Sequence, residues 1–316
     1  MPWEAEFTGL TLPMGAVVYG FVVRVDMPTF QLTSFRLVGQ AHRPLVGDLR
    51  YRVDGQAKPL VIFQHGFKGF KDWGTFNAIA DELALAGCVV AKFNGSHNGT
   101  TPDQPTHFAD LEAFARNTYS IELDDLLHVI EWLTTPGHAL PESEIDRSRC
   151  VLIGHSRGGG ICLLAAAQSA RVTCGILWAS VADFAQRFTA DQYLEWKEKG
   201  RILIWNSRTE QHMPLDALLM EDYHRHIDRL EIKRAAEQLL IPVLAIHGTE
   251  DETVFIEEAE KLPEWNPRIR LQTIEGANHT FGGSHPWDDD NPLPLHTVQL
   301  LEQTLDFIDE GFWDVT

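Results

Sequence analysis

The segment CVLIGHSRGGGICLLAAA, residues 150–167, sets Ser156 between Gly154 and Gly158, with one apolar run before it and another after. The chemistry served by this spacing is nucleophilic. A sharp strand-to-helix turn lifts the serine hydroxyl out of a sheet, and flanking glycines let neighbouring backbone come close. GxSxG alone is a weak signal; the strand-like run before it and the helix-like run after it make it a strong one. Gly159 and Gly160 would let that helix sit tightly on the sheet. The plainer reading is a glycine-rich turn whose serine only caps a helix. Phosphate binding is weaker still, since no lysine follows as in a P-loop and no GxGxxG is present. The 14 histidines and the scattered carboxylates form no HExxH or other compact ligand set, so neither a metal nor an organic cofactor is expected. Cys88, Cys150, Cys162 and Cys174 lie in apolar stretches without CxxC spacing and read as buried reduced thiols.

Apolar runs of strand length alternate with helical patterns along most of the chain. The runs are Leu60 to Phe63, Cys88 to Phe93, Cys150 to Ile153, Val172 to Ala179, Pro242 to Ile246 and Ile269 to Ile274. They are mostly continuous rather than alternating, as in parallel strands covered on both faces. Leu123, Leu126, Leu127, Ile130 and Leu133 recur at helical spacing opposite Glu122, Asp124, Asp125 and Glu131, which predicts a crossover helix. Val298, Leu301, Leu305, Ile308 and Phe312 predict an amphipathic closing helix. Alternation around Phe35 to Val38 and Leu49 to Val53 predicts antiparallel edge strands. Residues 183–240 break the alternation and read as an inserted cap on a core formed by 1–182 and 241–316, with 1–30 an N-terminal extension. The competing reading of 183–240 is a pair of crossover helices with a long loop.

Composition narrows the function classes. The chain has 316 residues, 44% hydrophobic and 22% charged, which suits a globular domain with a large core. Lys and Arg number 26 against 45 Asp and Glu, a formal charge of −19, so nucleic acid and anionic membrane are not expected partners. No apolar run reaches the roughly 20 residues that cross a bilayer. Met14 to Val23 follows Glu4 and Glu6 rather than a basic region and makes a poor signal peptide, so a cytoplasmic location is expected.

With its elbow and its βα alternation, the chain resembles the α/β-hydrolase superfamily from about Leu60 to the last helix. The resemblance implies an α/β-hydrolase fold, a mostly parallel central sheet flanked by helices, with an inserted cap. It also implies partners for Ser156. QHGFKGFKDW follows the first parallel run; there the superfamily carries an HG motif whose next residue, Phe67, gives one backbone N–H to an oxyanion hole. Arg157, after the nucleophile, gives the other. PVLAIHGTEDETV offers Asp251 as the acid, with Glu250 and Glu252 as neighbours in reserve, and LQTIEGANHTF offers His279 as the base, with His285 as rival. The order Ser, Asp, His is the one this fold uses.

QHGFKGFKDWGTFN, AKFNGSHNG and GHSRGGG are similar to the esterases related to dienelactone hydrolase and to cinnamoyl or feruloyl esterases. Dienelactone hydrolases proper use cysteine at the elbow. Ser156 therefore favours general ester chemistry: a serine carboxylesterase acting on small to medium acyl or aryl esters. His97, Trp196, Trp205 and Met213 are candidate pocket residues; for Trp196 and Trp205 a place in the cap's own core is equally open, as a solvated turn is for His97. A peptidase or thioesterase of the same fold is the alternative, although prolyl oligopeptidase-type peptidases usually carry a propeller that the 59 residues before Leu60 cannot form. A binding protein without turnover is a further alternative. The expected partner is a small-molecule ester, and a homodimer through the cap or an edge strand is conceivable.

Overall fold

Short apolar runs rich in Val, Ile and Leu become strands here because glycines, prolines and polar turns cut them off before a helix can propagate. The computed structural model describes residues 7–11, 17–21, 29–137, 140–288 and 290–311. Much of the extension at 1–30 lies outside them; within it β1 (Phe7–Thr11) and β2 (Val17–Phe21) pair as an antiparallel ribbon.

Among the described residues the main sheet has eight strands: β3 (Thr29–Val38), β4 (Pro44–Val53), β5 (Lys58–Gln64), β6 (Val89–Asn94), β7 (Ile145–His155), β8 (Cys174–Trp178), and then, past a hairpin of β9 (Arg201–Asn206) and β10 (Gln211–Asp216), β11 (Val243–Gly248) and β12 (Ile269–Ile274). Their order is β12-β11-β8-β7-β5-β6-β4-β3. The strands from β12 to β6 run parallel, while β4 is antiparallel to both of its neighbours. Every residue of β5, β6 and β11 is buried, as the continuous apolar runs require. The predicted edge pair is longer than the sequence suggested, and of its two strands β3 is the edge while β4 is interior, because β4 also pairs with β6.

The helices are α1 (Phe76–Leu85), α2 (Leu111–Ala115), α3 (Tyr119–Thr134), α4 (Arg157–Gln168), α5 (Ala190–Lys199), α6 (Leu218–Arg225), α7 (Ile227–Leu230), α8 (Ile232–Gln238), α9 (Ile256–Trp265) and α10 (Leu295–Gly311). The chain takes the α/β-hydrolase architecture: α1 and α10 pack together on one side of the sheet, and α3, α4, α8 and α9 pack in a row on the other. Leu300, Leu301, Phe307 and Ile308 give α10 its buried stripe, and Trp178 Nε1 donates to Thr304 Oγ1 at 3.1 Å to fasten it. Val298 stays 37% exposed, and Phe312 lies outside the described residues. Among the described residues no helix is long and apolar enough to cross a membrane.

Some strand positions break the apolar rule, Lys58 in β5 and Lys92 in β6 among them. Lys92 in β6 is 1% exposed, and a buried ammonium is tolerable only when paired. Its Nζ donates to Asp72 at 2.9 Å and to Asn77 Oδ1 at 2.6 Å, while Lys71 Nζ reaches Asp48 at 2.5 Å. Lys71 and Asp72 belong to the loop after β5, so this network pins the loop that continues from Phe67 onto β4 and β6.

Candidate active site

From Cys150 through Ala165 every residue is buried except Ser156, which is half-buried. The reason is its backbone. Ser156 has φ 57° and ψ −122° between β7 and α4, a left-handed conformation costly for a side chain with a Cβ, and it persists because neighbours fix it. The Ser156 N–H donates to the Trp178 carbonyl at 2.8 Å. A Cβ on Gly158 would lie 2.3 Å from the Gln64 carbonyl oxygen, and one on Gly154 would lie 2.4 Å from the Gly158 carbonyl oxygen. Only glycine fits at either position, and the elbow therefore locks against β5. These contacts set aside the simple capping reading: the Ser156 side chain makes no cap hydrogen bond.

Asp251 follows β11 and His279 follows β12, so both enter from the carboxyl ends of neighbouring parallel strands, where open α/β sheets place their ligands. His279 Nδ1 donates to Asp251 Oδ2 at 2.8 Å. The other carboxylate oxygen accepts from the backbone N–H of Thr253 at 2.8 Å and of Val254 at 2.9 Å. Burial opposes ionisation of Asp251, but hydrogen bonds from His247 and His279 outweigh it and hold the carboxyl well below the ordinary range. A carboxylate that accepts at Nδ1 leaves the Nε2 lone pair of a neutral His279 free to take a proton. His155 Nε2 donates to the His279 carbonyl at 2.8 Å, tying the loop of His279 to the residue before Ser156. Glu250 and Glu252 are exposed. His285 is engaged elsewhere: its Nδ1 accepts from the Gly74 N–H at 3.1 Å, and its ring packs against Phe70 and Trp73.

Ser156 and His279 open onto one cavity of about 360 Å³, lined also by Phe67, Arg157, Phe184, Phe188 and Ile204. Phe67 and Arg157 both line this cavity, and Arg157 opens α4, where the first N–H groups lack intrahelical partners. The Arg157 guanidinium lies 4.0 Å from the centre of the Phe67 ring and 3.2 Å from Glu122 Oε1. A hydroxyl and an imidazole backed by a carboxylate, at a cavity whose walls are partly apolar and partly cationic, can perform acyl transfer.

The four candidate pocket residues require correction. Trp196 is 4% exposed, donates Nε1 to the Leu215 carbonyl and stacks edge-on with Phe188 and Tyr193, so it is core to its own segment. Met213 is fully buried in the hydrophobic core, and Trp205 sits outside on the hairpin against His212. His97 is buried in the loop after β6, its Nδ1 2.8 Å from Ser96 Oγ, while Asp125 accepts from the Ser96 N–H at 2.7 Å. None of the four lines the cavity. The sequence reading missed Lys68, Arg187 and Arg208, which do line it. Lys68 stood inside the quoted QHGFKGFKDW, whereas Arg208, at the tip of the β9–β10 hairpin, had no local signal.

Burial also fixes how the fold responds to acid. His65 and His97 are each pushed down to about 4 and His155 to about 3, in each case chiefly by burial. All three stay neutral in the folded chain at pH values where an unfolded histidine, with its ordinary value of about 6.5, is already charged. Unfolding below that value takes up their protons, so acid favours the unfolded chain. Asp125, pushed up to about 6 by burial, opposes them by giving back one proton. Three outweigh one. Tm should therefore fall between about pH 7 and about pH 5, with net proton uptake on unfolding in calorimetry across buffers of different ionisation enthalpy. Net release would contradict it.

Residues 76–293, which hold Ser156, Asp251 and His279, match the prolyl oligopeptidase family. The chain belongs to that family. The match begins after Phe67 and Lys68 and ends before α10. Membership of the prolyl oligopeptidase family makes this an α/β hydrolase, and the propeller argument made from the sequence does not set the chain apart from that family. A curated relative, the gibberellin receptor GID1C of Arabidopsis thaliana, is 28% identical over 167 residues, covering 50% of this chain and 43% of the receptor. The chain thus spans less than half the length of that relative. Among solved structures, Est1E from Butyrivibrio proteoclasticus, with ferulic acid bound, aligns at TM-score 0.65 and 18% identity over 88% of this chain and 98% of its own. The Pyrococcus horikoshii acylaminoacyl peptidase aligns at TM-score 0.64 and 14% identity over 92% of this chain and 43% of its own. Both carry the fold of this prolyl oligopeptidase family member.

Proposed function

We propose that the chain is a serine hydrolase that cleaves carboxylic esters of small to medium acyl or aryl groups through an acyl-enzyme. The observation that carries this reading is the 2.8 Å Asp251–His279 contact at the cavity onto which the strained Ser156 opens. His279 Nε2 takes the Ser156 proton as Oγ attacks the ester carbonyl, Asp251 stabilises the imidazolium, and the N–H groups of Phe67 and Arg157 receive the oxyanion. Collapse expels the alcohol, protonated by His279. Water, deprotonated by the same ring, then frees the acid. In this reading residues 183–240 form a cap, with the hairpin of β9 and β10 as its part over the cavity.

Amide hydrolysis is the second reading, favoured by the family name and by the acylaminoacyl peptidase among the structural relatives. The two share one intermediate and differ in leaving group. A fluorophosphonate probe should label Ser156 stoichiometrically, and a panel of p-nitrophenyl esters, methyl ferulate and an aminoacyl amide should give higher kcat/KM for the esters. An amide matching the best ester moves the assignment to peptidase. No adduct at all rejects hydrolysis in favour of binding without turnover, the reading to which the receptor's name points.

A further inference from the structure

The chain carries 45 acidic residues against 26 basic ones, yet its cavity at Ser156 is lined by Lys68, Arg157, Arg187 and Arg208 and, among the described residues, by no carboxylate. Two of the four cations are neutralised from behind. Arg157 pairs with Glu122 at 3.2 Å, and Arg187 pairs with Glu258 and donates to the Thr253 carbonyl at 2.6 Å. The other two have no such partner. Lys68 Nζ reaches the Trp205 carbonyl at 3.4 Å and lies 5.7 Å from the centre of the Phe67 ring, and the Arg208 guanidinium lies 4.8 Å from the centre of the Trp73 ring. Among the described residues neither makes an ion pair.

Their placement is specified rather than loose. Lys68 holds a left-handed φ of 55°, which a lysine adopts at a cost, on the loop pinned by the buried Lys92 network. Arg208 sits on a tip braced by Asn206, whose Nδ2 donates to Thr209 Oγ1 at 2.9 Å. The far end of the hairpin is clamped by Arg201, paired with Asp216 at 2.5 Å and with Glu112 at 2.7 Å. Partial burial lowers the Lys68 ammonium, and repulsion from Arg208 and Arg157 lowers it further. Two like charges held together without a counter-charge, in a chain with acids to spare, make a receptor for an anion.

We infer that the ester taken by this site carries a second, unreacting acidic group, a carboxylate or a phosphate, held between Lys68 and Arg208 while the apolar walls of Phe184, Phe188 and Ile204 receive the chain that joins it to the ester. This rests on the hydrolase reading above and narrows its substrate class to acidic esters.

The test compares p-nitrophenyl hydrogen adipate with its methyl ester, which has the same chain but no charge. At low ionic strength kcat/KM should favour the acid by about tenfold or more, and salt should erode the difference. Lys68→Gln and Arg208→Gln should each reduce the ratio, and the double variant should bring it near one. Lys233→Gln, on the outer face of α8, should leave the ratio alone. A phosphate in place of the carboxylate tells which acid fits better. Binding is read separately by calorimetry on the Ser156→Ala chain with monomethyl and dimethyl adipate. Equal turnover and equal binding of acid and neutral ester, or a ratio that survives the double variant, overturns the charge inference alone. Tighter binding of the acid without turnover by the wild-type chain upholds that anion site and overturns the hydrolase reading.

Discussion

Ser156→Ala is expected to lower kcat for ester hydrolysis by roughly 10⁴- to 10⁶-fold while leaving KM within a small factor. The loss is large because the covalent step has no other nucleophile at this position, and His279 and Asp251 then have no proton to move. It is not total, since the amides of Phe67 and Arg157 still meet a developing oxyanion when water attacks unaided. The fold should survive: the Ser156 backbone N–H bond to Trp178 and the Gly159 N–H bond to the Ser156 carbonyl do not involve the side chain. Single-turnover rates with a matched Tm check both halves of the expectation. Substantial activity in a folded alanine variant sinks the elbow assignment.

Asp251→Asn should be nearly as severe, on the order of 10⁴-fold in kcat, for a reason specific to this site. The backbone N–H groups of Thr253 and Val254 both donate to Oδ1, so an asparagine at 251 keeps its carbonyl oxygen there and turns its NH₂ toward His279. That donor meets Nδ1 and forces the proton to Nε2, the atom that must accept from Ser156. The ring keeps its place and loses its tautomer. Glu250→Gln and Glu252→Gln, both at exposed positions, should change kcat little. The assignment of the acid fails if either exposed glutamate proves indispensable while the asparagine variant works.

The parallel strands were legible because burial on both faces leaves a continuous apolar run, and β5, β6 and β11 are written that way. Lys92 hides within such a run, VVAKF, and nothing local reveals that Asp72 from the loop after β5 and Asn77 from the first turn of α1 will meet its ammonium. The same holds for the pocket. Aromatic and methionine residues of 183–240 were natural candidates, but Trp196 and Met213 are drawn into the hydrophobic core, where their apolar area is removed from water.

What the sequence determined by itself is what the backbone encodes over a few residues: the GHSRG turn, whose Gly154 is dictated by the Gly158 carbonyl oxygen 2.4 Å from where a Cβ would lie, and the order of Ser156, Asp251 and His279 along alternating strands and helices. What tertiary structure alone decided is which side chains from distant segments share one space. Lys68 and Arg208 lie 140 positions apart in the chain and meet at one cavity because a hairpin folds back over the loop after β5. Charge acts through space at a few ångströms, and spacing along the chain does not record it.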